Sequence, residues 1–575
     1  MLLKSVETLT TDVLIIGGGG AGLRAGVESQ RYGARTLIVD KAVVGWNNNT
    51  VLAGGGVKGA LKGMLDETIE KQYSTPEEHF EDTIRYGQFL NDQQLVEILA
   101  VEAPARILEL GGFGVTDFHA LCNLGNPAKG GSAITEGLSR AYKQLGGKSL
   151  HATVIVDLLM GADRVVGALG YRILQRRFVR ILAKSTIIAA GGTGELFERN
   201  YTVGTTTGDG YALAARAGAP LMDMEFVQFS PYVAAEPNLP MWYVMPCKAR
   251  MLGVLRNAKG ESFIENYLKP VGGEGRPFPE RFGALPTDIR EIIAWAICME
   301  VHEGRGHNGG VFLDLSHVPD EAWEEDRPGQ FNRHRLFHGF DFKKPIHVIP
   351  GVITHLGGIR INERTETAIP GLYAAGEVSG GVHGARRRGG NAISDCLVFG
   401  ARAGKYAALA ARELGVIPEA ASAEGQAVAE EWLARRPTVD GSPQAFKQRI
   451  KKIMWTHVGP LRSATTLRKA REEMNALAKA AAAELSASDP FELQYALEVR
   501  HMLETGRQII DSALERRESR GDHYRLDFPD HGGAQWLFNV ELTGDADRRV
   551  IRHTPVNMVR LRPADHEPAG HGYYL

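Results

Sequence analysis

The chain has 575 residues, and its 66 lysines and arginines nearly balance 68 aspartates and glutamates, which leaves a net charge of −2. This balance is unlike the basic surface of a nucleic-acid-binding protein, and 43% hydrophobic residues exclude a disordered chain. The length predicts two to four domains. Glycine is in excess, with 68 residues or about 12% where about 7% is usual, and the excess lies in clusters.

The sequence predicts neither a metal cluster nor a membrane span within the chain. No Cys-x-x-Cys pair, which would favour an iron–sulfur cluster or a zinc site, occurs among the four cysteines, Cys122, Cys247, Cys298 and Cys396. Residues 1–12 lack the long apolar segment of a signal peptide. No apolar run approaches the roughly 20 residues of a membrane span, so we expect a cytoplasmic protein.

The first predicted elements are a strand, a glycine turn and a helix. Val13–Ile16 is an apolar run typical of a buried strand, Gly17–Gly22 supplies the turn, and Leu23–Gln30 has a helical pattern. Ala34–Asp40 is a second apolar run, and it ends in an acid. This order predicts a parallel βαβ unit, the opening of a Rossmann-type α/β domain.

Two further strands of the same type lie far along the chain. Thr186–Ala190 precedes a glycine cluster, and Gly371–Glu377 has the same apolar character. Strands that are distant in sequence and end in glycines indicate one nucleotide-binding domain that is interrupted by an insertion. We predict that this domain comprises residues 1–235 plus 350–410 and that the inserted domain comprises residues 236–349.

The remainder of the chain has helical character. Phe491–Arg517 is a long helical stretch, and helical spacing of apolar residues also occurs at Leu467, Ala470, Met474 and Leu477. We predict a helical domain over residues 411–525. Residues 526–575, which include Thr554–Val556, are predicted to form short strands or an extended C-terminal region.

Gly17, Gly19 and Gly22 have the spacing of the dinucleotide-binding fingerprint. The first glycine permits the tight turn, the second lets the backbone approach the pyrophosphate, and the third lets the helix pack on the strand. Asp40 ends the second strand, where a carboxylate accepts the ribose hydroxyls. The fingerprint alone does not distinguish FAD from NAD. Glycine clusters spread over almost 400 residues favour an extended cofactor, because each cluster allows a close backbone approach, and no second fingerprint is present for a nicotinamide cofactor.

With these motifs the chain resembles the flavoprotein subunit of succinate dehydrogenase and fumarate reductase, whose relatives include L-aspartate oxidase and the adenylylsulfate reductase flavoprotein. The resemblance extends almost from end to end. The segments that carry it are the fingerprint, Asn48–Gly56, Thr206–Gly210, Met224–Phe229, Glu303–Gly306, Ile369–Glu377, His383–Arg387 with Gly390–Asn391, and Glu518–His523 with Asp527–Pro529.

The resemblance implies an FAD domain, a capping domain over the flavin, a helical domain and a small C-terminal part. Together with the fingerprint it assigns FAD binding to Gly17, Gly19, Gly20, Ala21, Gly22, Asp40, Lys41, Asn49, Thr50, Gly55, Gly56, Ala190, Gly191, Gly192, Asp209, Glu377 and Asn391.

The resemblance also assigns two catalytic arginines. In the family, hydride passes between the flavin N5 and a carbon next to a carboxylate, and an arginine of the capping domain transfers the proton. That arginine corresponds to Arg290, and a second arginine, which binds a substrate carboxylate, corresponds to Arg387. Guanidinium groups match carboxylates with two parallel hydrogen bonds. The alternatives are a surface ion pair of Arg290 with Glu291 or Asp288, and simple pairing of the Arg386–Arg388 triplet with acids.

Three family histidines are replaced in this chain. Asn49 stands at the position of the histidine that bonds covalently to FAD, and because an amide cannot form that bond, we expect non-covalent flavin. Ser230 and Ile353 stand where the family has histidines that hold the second carboxylate. His355 is a candidate replacement ligand, although a structural role is equally compatible with the sequence. Ser230 and His355 are therefore candidate substrate-binding residues, and we expect a smaller or less polar acid than a dicarboxylate, or a different anion altogether.

Electron transfer requires a partner, because the chain has no cysteine cluster. The resemblance implies an iron–sulfur protein subunit, with the flavoprotein on the cytoplasmic face of a membrane complex. Three alternatives stay open: a stand-alone enzyme of the L-aspartate oxidase type, a sulfur-oxyanion enzyme of the adenylylsulfate reductase type, and a non-catalytic FAD-binding subunit. Lys248, Arg250 and Arg256 would suit a new anion pocket, or alternatively form an exposed basic face.

Overall fold

The computed structural model describes residues 6–53, 56–61, 74–115, 130–237, 252–267, 290–319, 321, 341, 343–419, 425–544 and 548–563. Elements are numbered in chain order within these ranges. Cys122, Cys247, Gly55, Lys248, Arg250 and Asp288 lie outside the described residues.

The largest sheet forms the nucleotide-binding part of the molecule. Its strands are β1 (Glu7–Ile16), β2 (Thr36–Val39), β3 (Lys148–Leu150), β4 (Thr153–Gly161), β5 (Arg164–Arg172), β6 (Arg177–Ile188) and β13 (Leu372–Ala374). The order is β3-β2-β1-β6-β5-β4, with β13 also paired to β6. Helix α1 (Gly20–Arg31) joins β1 to β2, and these strands are parallel. The predicted βαβ unit is therefore confirmed.

The sequence-distant strand joins the same sheet, as predicted. Leu372 pairs with Thr186 and Ala374 with Ile188 in parallel register. Residues 13–16 are almost fully buried, because an apolar strand covered on both faces needs no polar alternation. The α/β fold with a Rossmann-type core is confirmed.

A second sheet is formed by strands between residues 227 and 355, which include and slightly exceed the described part of the predicted insertion 236–349. It is antiparallel, with β8 (Val227–Ala234), β11 (Ile346–His355), β10 (Val311–Asp314) and β9 (Val254–Arg256) in that order. Helix α7 (Arg290–His302) packs on it, and the two share a hydrophobic cluster that includes Ile293, Leu313 and Val348. A separate cluster favours a separate unit, and the domain limits stay a prediction.

Two smaller sheets connect distant parts of the chain. One has the order β12 (Gly358–Ile359), β7 (Leu221–Met222), β16 (Phe538–Thr543) and β17 (Val550–Pro555). The other pairs β14 (Leu461–Arg462) with β15 (Tyr524–Arg525). Short strands were expected near the C-terminus, and β16 and β17 provide them.

The remaining helices flank the sheets or form the helical part. They are α2 (Asn49–Leu52), α3 (Pro76–Tyr86), α4 (Gln93–Leu108), α5 (Gly131–Gln144), α6 (Asp209–Arg216), α8 (Asn391–Leu414), α9 (Gly425–Ala434), α10 (Pro443–Val458), α11 (Ala464–Glu484) and α12 (Leu493–Glu515). Short 3₁₀ turns occur at Glu109–Phe113, Gly194–Leu196, Ile264–Tyr267 and Gly533–Trp536.

The helical part agrees with the spacing of its apolar residues. Leu467, Ala470, Met474 and Leu477 are all buried on α11. Helix α11 packs against both α10 and α12. The predicted helical stretch of 491–517 corresponds to α12, so this part of the prediction is confirmed.

Candidate functional site

The glycine turn between β1 and α1 has the geometry that the fingerprint predicts. Gly17 has φ of +106°, and a Cβ there would lie 2.2 Å from the carbonyl oxygen of Ala189. A Cβ on Gly22 would lie 1.9 Å from the carbonyl oxygen of Gly17. A Cβ on Gly19 would meet no atom closer than 3.7 Å. The first and third glycines are therefore required by packing, whereas the space beside the second is open.

The N-terminus of α1 is available to an anion. Its N-cap residue is Gly19, no side chain caps this end, and the first turn holds no acid. The backbone N–H of Gly20 makes a 3.2 Å contact with Thr50 Oγ1. Since a helix N-terminus carries partial positive charge and free N–H groups, this end suits a pyrophosphate.

Asp40 ends β2 beside the glycine turn. Its Oδ2 accepts a 2.7 Å hydrogen bond from the N–H of Gly18, and its Oδ1 accepts one of 2.7 Å from the N–H of Ala42. Burial raises the pKa of this carboxyl, and the negative charge of Asp209 adds to the rise. Because each carboxylate oxygen has two lone pairs, acceptor capacity remains for ribose hydroxyls.

Lys41 and Asp209 form a buried ion pair at the same edge of the sheet. Lys41 Nζ lies 2.8 Å from Asp209 Oδ2 and 3.1 Å from Glu498 Oε1. Burial alone would raise the pKa of Asp209, but the charge of Lys41 and a hydrogen bond with His501 hold it below its usual range. Through these two contacts Lys41 connects the end of β2 to α6, which carries Asp209, and to α12, which carries Glu498.

These features surround one cleft of about 840 Å³. Its lining includes twelve of the residues predicted to bind FAD: Gly17, Gly19, Gly20, Ala21, Asp40, Lys41, Asn49, Thr50, Ala190, Gly191, Asp209 and Glu377. The glycine cradle, the uncapped helix and the carboxylate fit a dinucleotide. The assignment of individual residues to FAD stays a prediction.

The other described residues of that prediction, Gly22, Gly56, Gly192 and Asn391, are not among those that line the cleft. Gly22 lies under the turn, and a Cβ on Gly192 would lie 1.9 Å from Glu377 Oε1. The carbonyl oxygen of Gly56 lies 3.2 Å from the Cβ position of Gly390. Asn391 is buried and bonds through its side chain to Thr83 at 3.0 Å and His79 at 2.9 Å.

Asn49 is held by hydrogen bonds on both ends of its amide. Its Oδ1 accepts from the N–H of Val203 at 3.1 Å, and its Nδ2 donates to Glu377 Oε2 at 3.4 Å. Glu377 also accepts from the N–H of His355 at 2.9 Å, and burial raises its pKa. Asn49 thus has a neutral hydrogen-bonding role at this wall of the cleft.

Arg387 lies in a second region, on the segment that precedes α8, and its side chain contacts β8. Its Nη2 donates to Gln228 Oε1 at 3.0 Å, and its Nη1 donates to the carbonyl oxygen of Arg388 at 3.2 Å. Burial lowers the pKa of Arg387 to about 10, and the positive charge of Arg290 contributes. Arg387 is half-buried, and such a cation with neutral acceptors favours an added anion.

The two flanking arginines differ from Arg387. Arg386 pairs with Glu291 at 2.7 Å, and Arg388 pairs with Asp82 at 2.8 Å. Simple pairing with acids therefore describes the outer members of the triplet. The middle member faces an amide and a backbone carbonyl.

Arg290 is the first residue of α7. Its side chain reaches the segment 386–389, which we call the arginine segment. Its Nη2 lies 3.4 Å from the Cβ position of Gly389. Its charge acts on both Arg387 and Asp522. The neighbouring acid Glu291 pairs with Arg386. The two predicted catalytic arginines thus come together, although they are almost 100 residues apart.

Ser230 and Ile353 lie on the paired strands β8 and β11. Ser230 pairs with Gly351, and a register shift occurs between Val352 and Thr354. Ser230 is the one half-buried residue of β8, and Ile353 is half-buried. Ser230 shares a strand face with Gln228, because side chains alternate along a strand. This places Ser230 on the Arg387 side of β8.

His355 has structural contacts. Its Nδ1 bonds with Thr193 Oγ1 at 2.9 Å, and its ring lies 5.1 Å from that of Tyr211. Burial lowers the pKa of His355 to about 3, and the charge of Arg462 adds to the effect. A neutral, buried ring in these contacts favours packing over carboxylate binding.

Several residues of the two regions have no role in the sequence prediction. Thr205, Thr206 and Cys396 line the cleft, and Asp522 contacts Gln228. The threonines precede Gly208 and Gly210, and these glycines were a signal in the sequence that could have identified the threonines as cleft residues. Cys396 and Asp522 are brought in by tertiary packing, which no local pattern shows. Arg256, considered for an anion pocket, pairs instead with Asp314 at 3.0 Å.

Comparison with known families gives two matches in tandem. The profile described as "FAD binding domain" matches residues 12–393, and the profile described as "Fumarate reductase flavoprotein C-term" matches residues 447–572. Together they cover the cleft, the arginine segment and the helical part.

Several relatives span almost the whole chain. The chain is 35% identical to a subunit of the fumarate reductase (CoM/CoB) of Methanothermobacter marburgensis, over 91% of this chain and 95% of that protein. It is 30% identical to the fumarate reductase flavoprotein subunit of Mycobacterium tuberculosis, over 97% and 99%. Among solved structures, Sdh1 of Mycobacterium smegmatis in complex with UQ1 has a TM-score of 0.83 at 31% identity, covering 97% of this chain and 96% of that one.

Proposed function

Because this chain belongs to the fumarate reductase and succinate dehydrogenase flavoprotein family and is an FAD-dependent oxidoreductase, we propose that it interconverts a 2-enoic acid and its saturated form. FAD, when bound, supplies the hydride-transfer chemistry. The observation that carries the proposal is the convergence of Arg290 and Arg387, two guanidinium groups that interact electrostatically beside the strand pair β8 and β11.

Arg387 has the properties of a carboxylate-binding residue. Both of its described hydrogen-bond acceptors are uncharged. Burial and the charge of Arg290 lower its pKa to about 10, although the charges of Glu377, Asp522 and Asp395 act in the opposite direction. A substrate carboxylate would compensate the charge of Arg387 with charge-assisted hydrogen bonds. The positive charge would also stabilise negative charge that develops on the carboxylate during hydride transfer.

Arg290 is the proposed proton donor to the substrate carbon. It is the first residue of helix α7. An arginine gives up a proton readily only where other cations disfavour its charge, and Arg387 is such a cation. The carboxyl group of the neighbouring Glu291 is available to restore the proton.

The substrate need not be a dicarboxylate. Several relatives carry the name fumarate reductase, and fumarate has two carboxylates. In this chain a hydroxyl at Ser230 and an aliphatic side chain at Ile353 stand where the resemblance places histidines. Burying a second carboxylate without cationic partners would cost several kcal/mol. We therefore infer that one carboxylate, held by Arg387, is the common requirement.

Electrons are proposed to pass between this chain and an iron–sulfur protein. Two observations support a partner: relatives are named as subunits, and no group of metal-ligating side chains occurs in the described residues. No helix in the described part of the chain has the length and hydropathy of a membrane span. A cytoplasmic location, at the face of a membrane complex, is part of the proposal. Copurification of a cysteine-rich protein would test the proposed electron-transfer partner.

The function is tested with purified holoprotein and a reduced dye. We expect oxidation of the dye on addition of at least one 2-enoic acid among acrylate, crotonate and fumarate. Arg290→Ala should reduce turnover by at least about 10² while the flavin stays bound. Arg388→Ala, which removes a neighbouring arginine paired with Asp82, is the matched control and should keep turnover within about twofold.

Two outcomes would overturn the proposal. Retained turnover in Arg290→Ala would remove this arginine from proton transfer. Reduction of a sulfur oxyanion, with no reaction of any 2-enoic acid, would assign the enzyme to a different substrate class.

A further inference from the structure

Asp522 is buried beside the arginine segment because the turn that carries it is fixed there. Its backbone N–H donates to the carbonyl oxygen of Ala385 at 2.9 Å. The preceding Gly521 has φ of +54°, and a Cβ there would lie 2.1 Å from the same carbonyl oxygen. Arg520 holds the turn further through hydrogen bonds to Glu518 at 2.7 and 3.0 Å. The position of Asp522 is therefore determined by backbone contacts and not by its own side chain.

A hydrogen-bond chain leads from Asp522 to Arg387. Gln228 Nε2 donates to Asp522 Oδ2 at 3.0 Å, and Gln228 Oε1 accepts from Arg387 Nη2 at 3.0 Å. An amide has one donor end and one acceptor end. Because the carbonyl-type oxygen of Asp522 accepts from the donor end, the acceptor end must face Arg387. Asp522 thus holds the donor end of Gln228 and supports the contact of its acceptor end with the guanidinium.

The other oxygen of Asp522 has no protein partner. Oδ1 is buried and makes no hydrogen bond in the described structure, while the whole residue is 1% exposed. An ionised carboxylate with an unpartnered oxygen would be costly at a buried position, and a neutral carboxyl avoids the cost of burying a charge. Burial raises the pKa of Asp522 well above its usual value, and the negative charge of Glu291 contributes to the rise.

The charged groups around Asp522 come from three elements, one of which is β14 with Arg462. Glu291 and Arg290 lie on α7, and Arg386 and Arg387 lie on the segment before α8. Glu291 is paired with Arg386, so this pair contributes little net charge. With Asp522 neutral, the charge of Arg387 stays available to a substrate anion. With Asp522 ionised, a carboxylate of the protein would partly neutralise it.

We propose that Asp522 is a positioning residue for substrate binding, which acts in its neutral form through Gln228 to orient Arg387 toward the substrate carboxylate. The inference rests on the proposed function of Arg387. It adds a residue that does not touch the substrate and yet determines affinity for it. Neither the dinucleotide cleft nor the fingerprint is involved.

The test compares two substitutions that differ in one property. Asp522→Asn keeps an oxygen that accepts from Gln228 and is permanently neutral, whereas Asp522→Ala removes the acceptor. We expect Asp522→Ala to raise KM for the 2-enoic acid about tenfold, the effect of losing one hydrogen bond to a charged group, with kcat within about threefold. Asp522→Asn should recover most of that loss, with KM within about threefold of the wild type.

A binding measurement separates affinity from turnover. Propanoate has one carboxylate and no double bond, so its dissociation constant from the holoprotein is measured through the change in flavin absorbance. It should rise about tenfold in Asp522→Ala and stay near the wild-type value in Asp522→Asn. Unchanged flavin content and thermal unfolding temperature exclude a folding defect as the cause.

Each result has a defined meaning. Wild-type KM in Asp522→Ala, or equal loss in both variants, would overturn the role of Asp522. Arg387→Met is measured in parallel: if it weakens propanoate binding while Asp522→Ala does not, the inference fails and the proposed function stands. If Arg387→Met binds propanoate and turns over as the wild type does, the proposed function itself fails.

Discussion

Substitution of Arg386 and of Arg387 by methionine should have opposite consequences, although the two arginines are adjacent. Arg386 belongs to a buried ion pair with Glu291 at 2.7 Å. Arg387 donates to an amide oxygen and to a backbone carbonyl. Methionine is unbranched and retains much of the packing of an arginine stem. The comparison of Arg386→Met with Arg387→Met therefore measures mainly the effect of removing each positive charge.

The stability effect of each substitution follows from its partners. Arg386→Met leaves Glu291 buried without its cation, which costs roughly 3–5 kcal/mol. In Arg387→Met, the protein loses two hydrogen bonds of about 1 kcal/mol each. It also loses a cation that is costly to bury: burial has lowered the pKa of Arg387 to about 10, from an ordinary value of 12.5. At about 1.4 kcal/mol per tenfold change, and discounted for the partial exposure of Arg387, relief of that charge contributes about 2 kcal/mol. The two contributions of Arg387→Met nearly cancel.

Activity should show the reverse order. Loss of two charge-assisted hydrogen bonds to the substrate, at roughly 1.5–3 kcal/mol each, predicts a fall in kcat/KM of about 10²–10⁴ in Arg387→Met. Thermal unfolding of the holoprotein at neutral pH should then show Arg386→Met several degrees below the wild type and Arg387→Met close to it. If Arg387→Met were as unstable as Arg386→Met, or if it kept its kcat/KM, Arg387 would be a structural residue.

Three further predictions concern the flavin, the pH dependence and the glycine turn. Acid precipitation should release the flavin into the supernatant, because the amide of Asn49 cannot bond to it covalently; flavin colour in the pellet would contradict this. In the free enzyme kcat/KM should fall as pH rises through about 10, because Arg387 loses its proton there; titration of kcat/KM between pH 8 and about 10.5 measures this, and Arg387→Lys should move the fall to lower pH. Gly22→Ala should abolish flavin binding, since its Cβ would lie 1.9 Å from the carbonyl oxygen of Gly17, whereas Gly204→Ala, with no atom within 4 Å of the Cβ position, should retain full flavin content by absorbance.

Local patterns in the sequence were sufficient to predict the nucleotide-binding core. An apolar run followed by Gly17–Gly22 can form little other than a strand, a tight turn and a helix. The strand near Leu372 was predicted from the same pattern, and it pairs with β6. The C-terminal strand β16 pairs with β7, more than 300 residues earlier. Such a pairing depends on tertiary packing and leaves no local signal.

The arginine segment shows why the substrate region was less accessible to prediction. Arg386, Arg387 and Arg388 have the same charge and adjacent positions, so no property of the triplet identifies the middle residue. Only the resemblance to a family singled it out. The physical distinction lies in their partners, which are Glu291 and Asp82 for the outer residues and Gln228 for the middle one. These partners come from three other elements of the fold.

The distribution of charge around Arg387 predicts which acids the enzyme prefers. One substrate carboxylate would complete the pairing of Arg387, because its described acceptors are neutral. A second carboxylate would find a hydroxyl at Ser230 and an aliphatic side chain at Ile353, and burial without a cation costs several kcal/mol. Crotonate should therefore have a higher kcat/KM than fumarate, which has the same four carbons. A higher kcat/KM for fumarate would mean that another cation binds the second carboxylate. Arg290 would then be the first candidate for that cation, and its role would be substrate binding and not proton transfer.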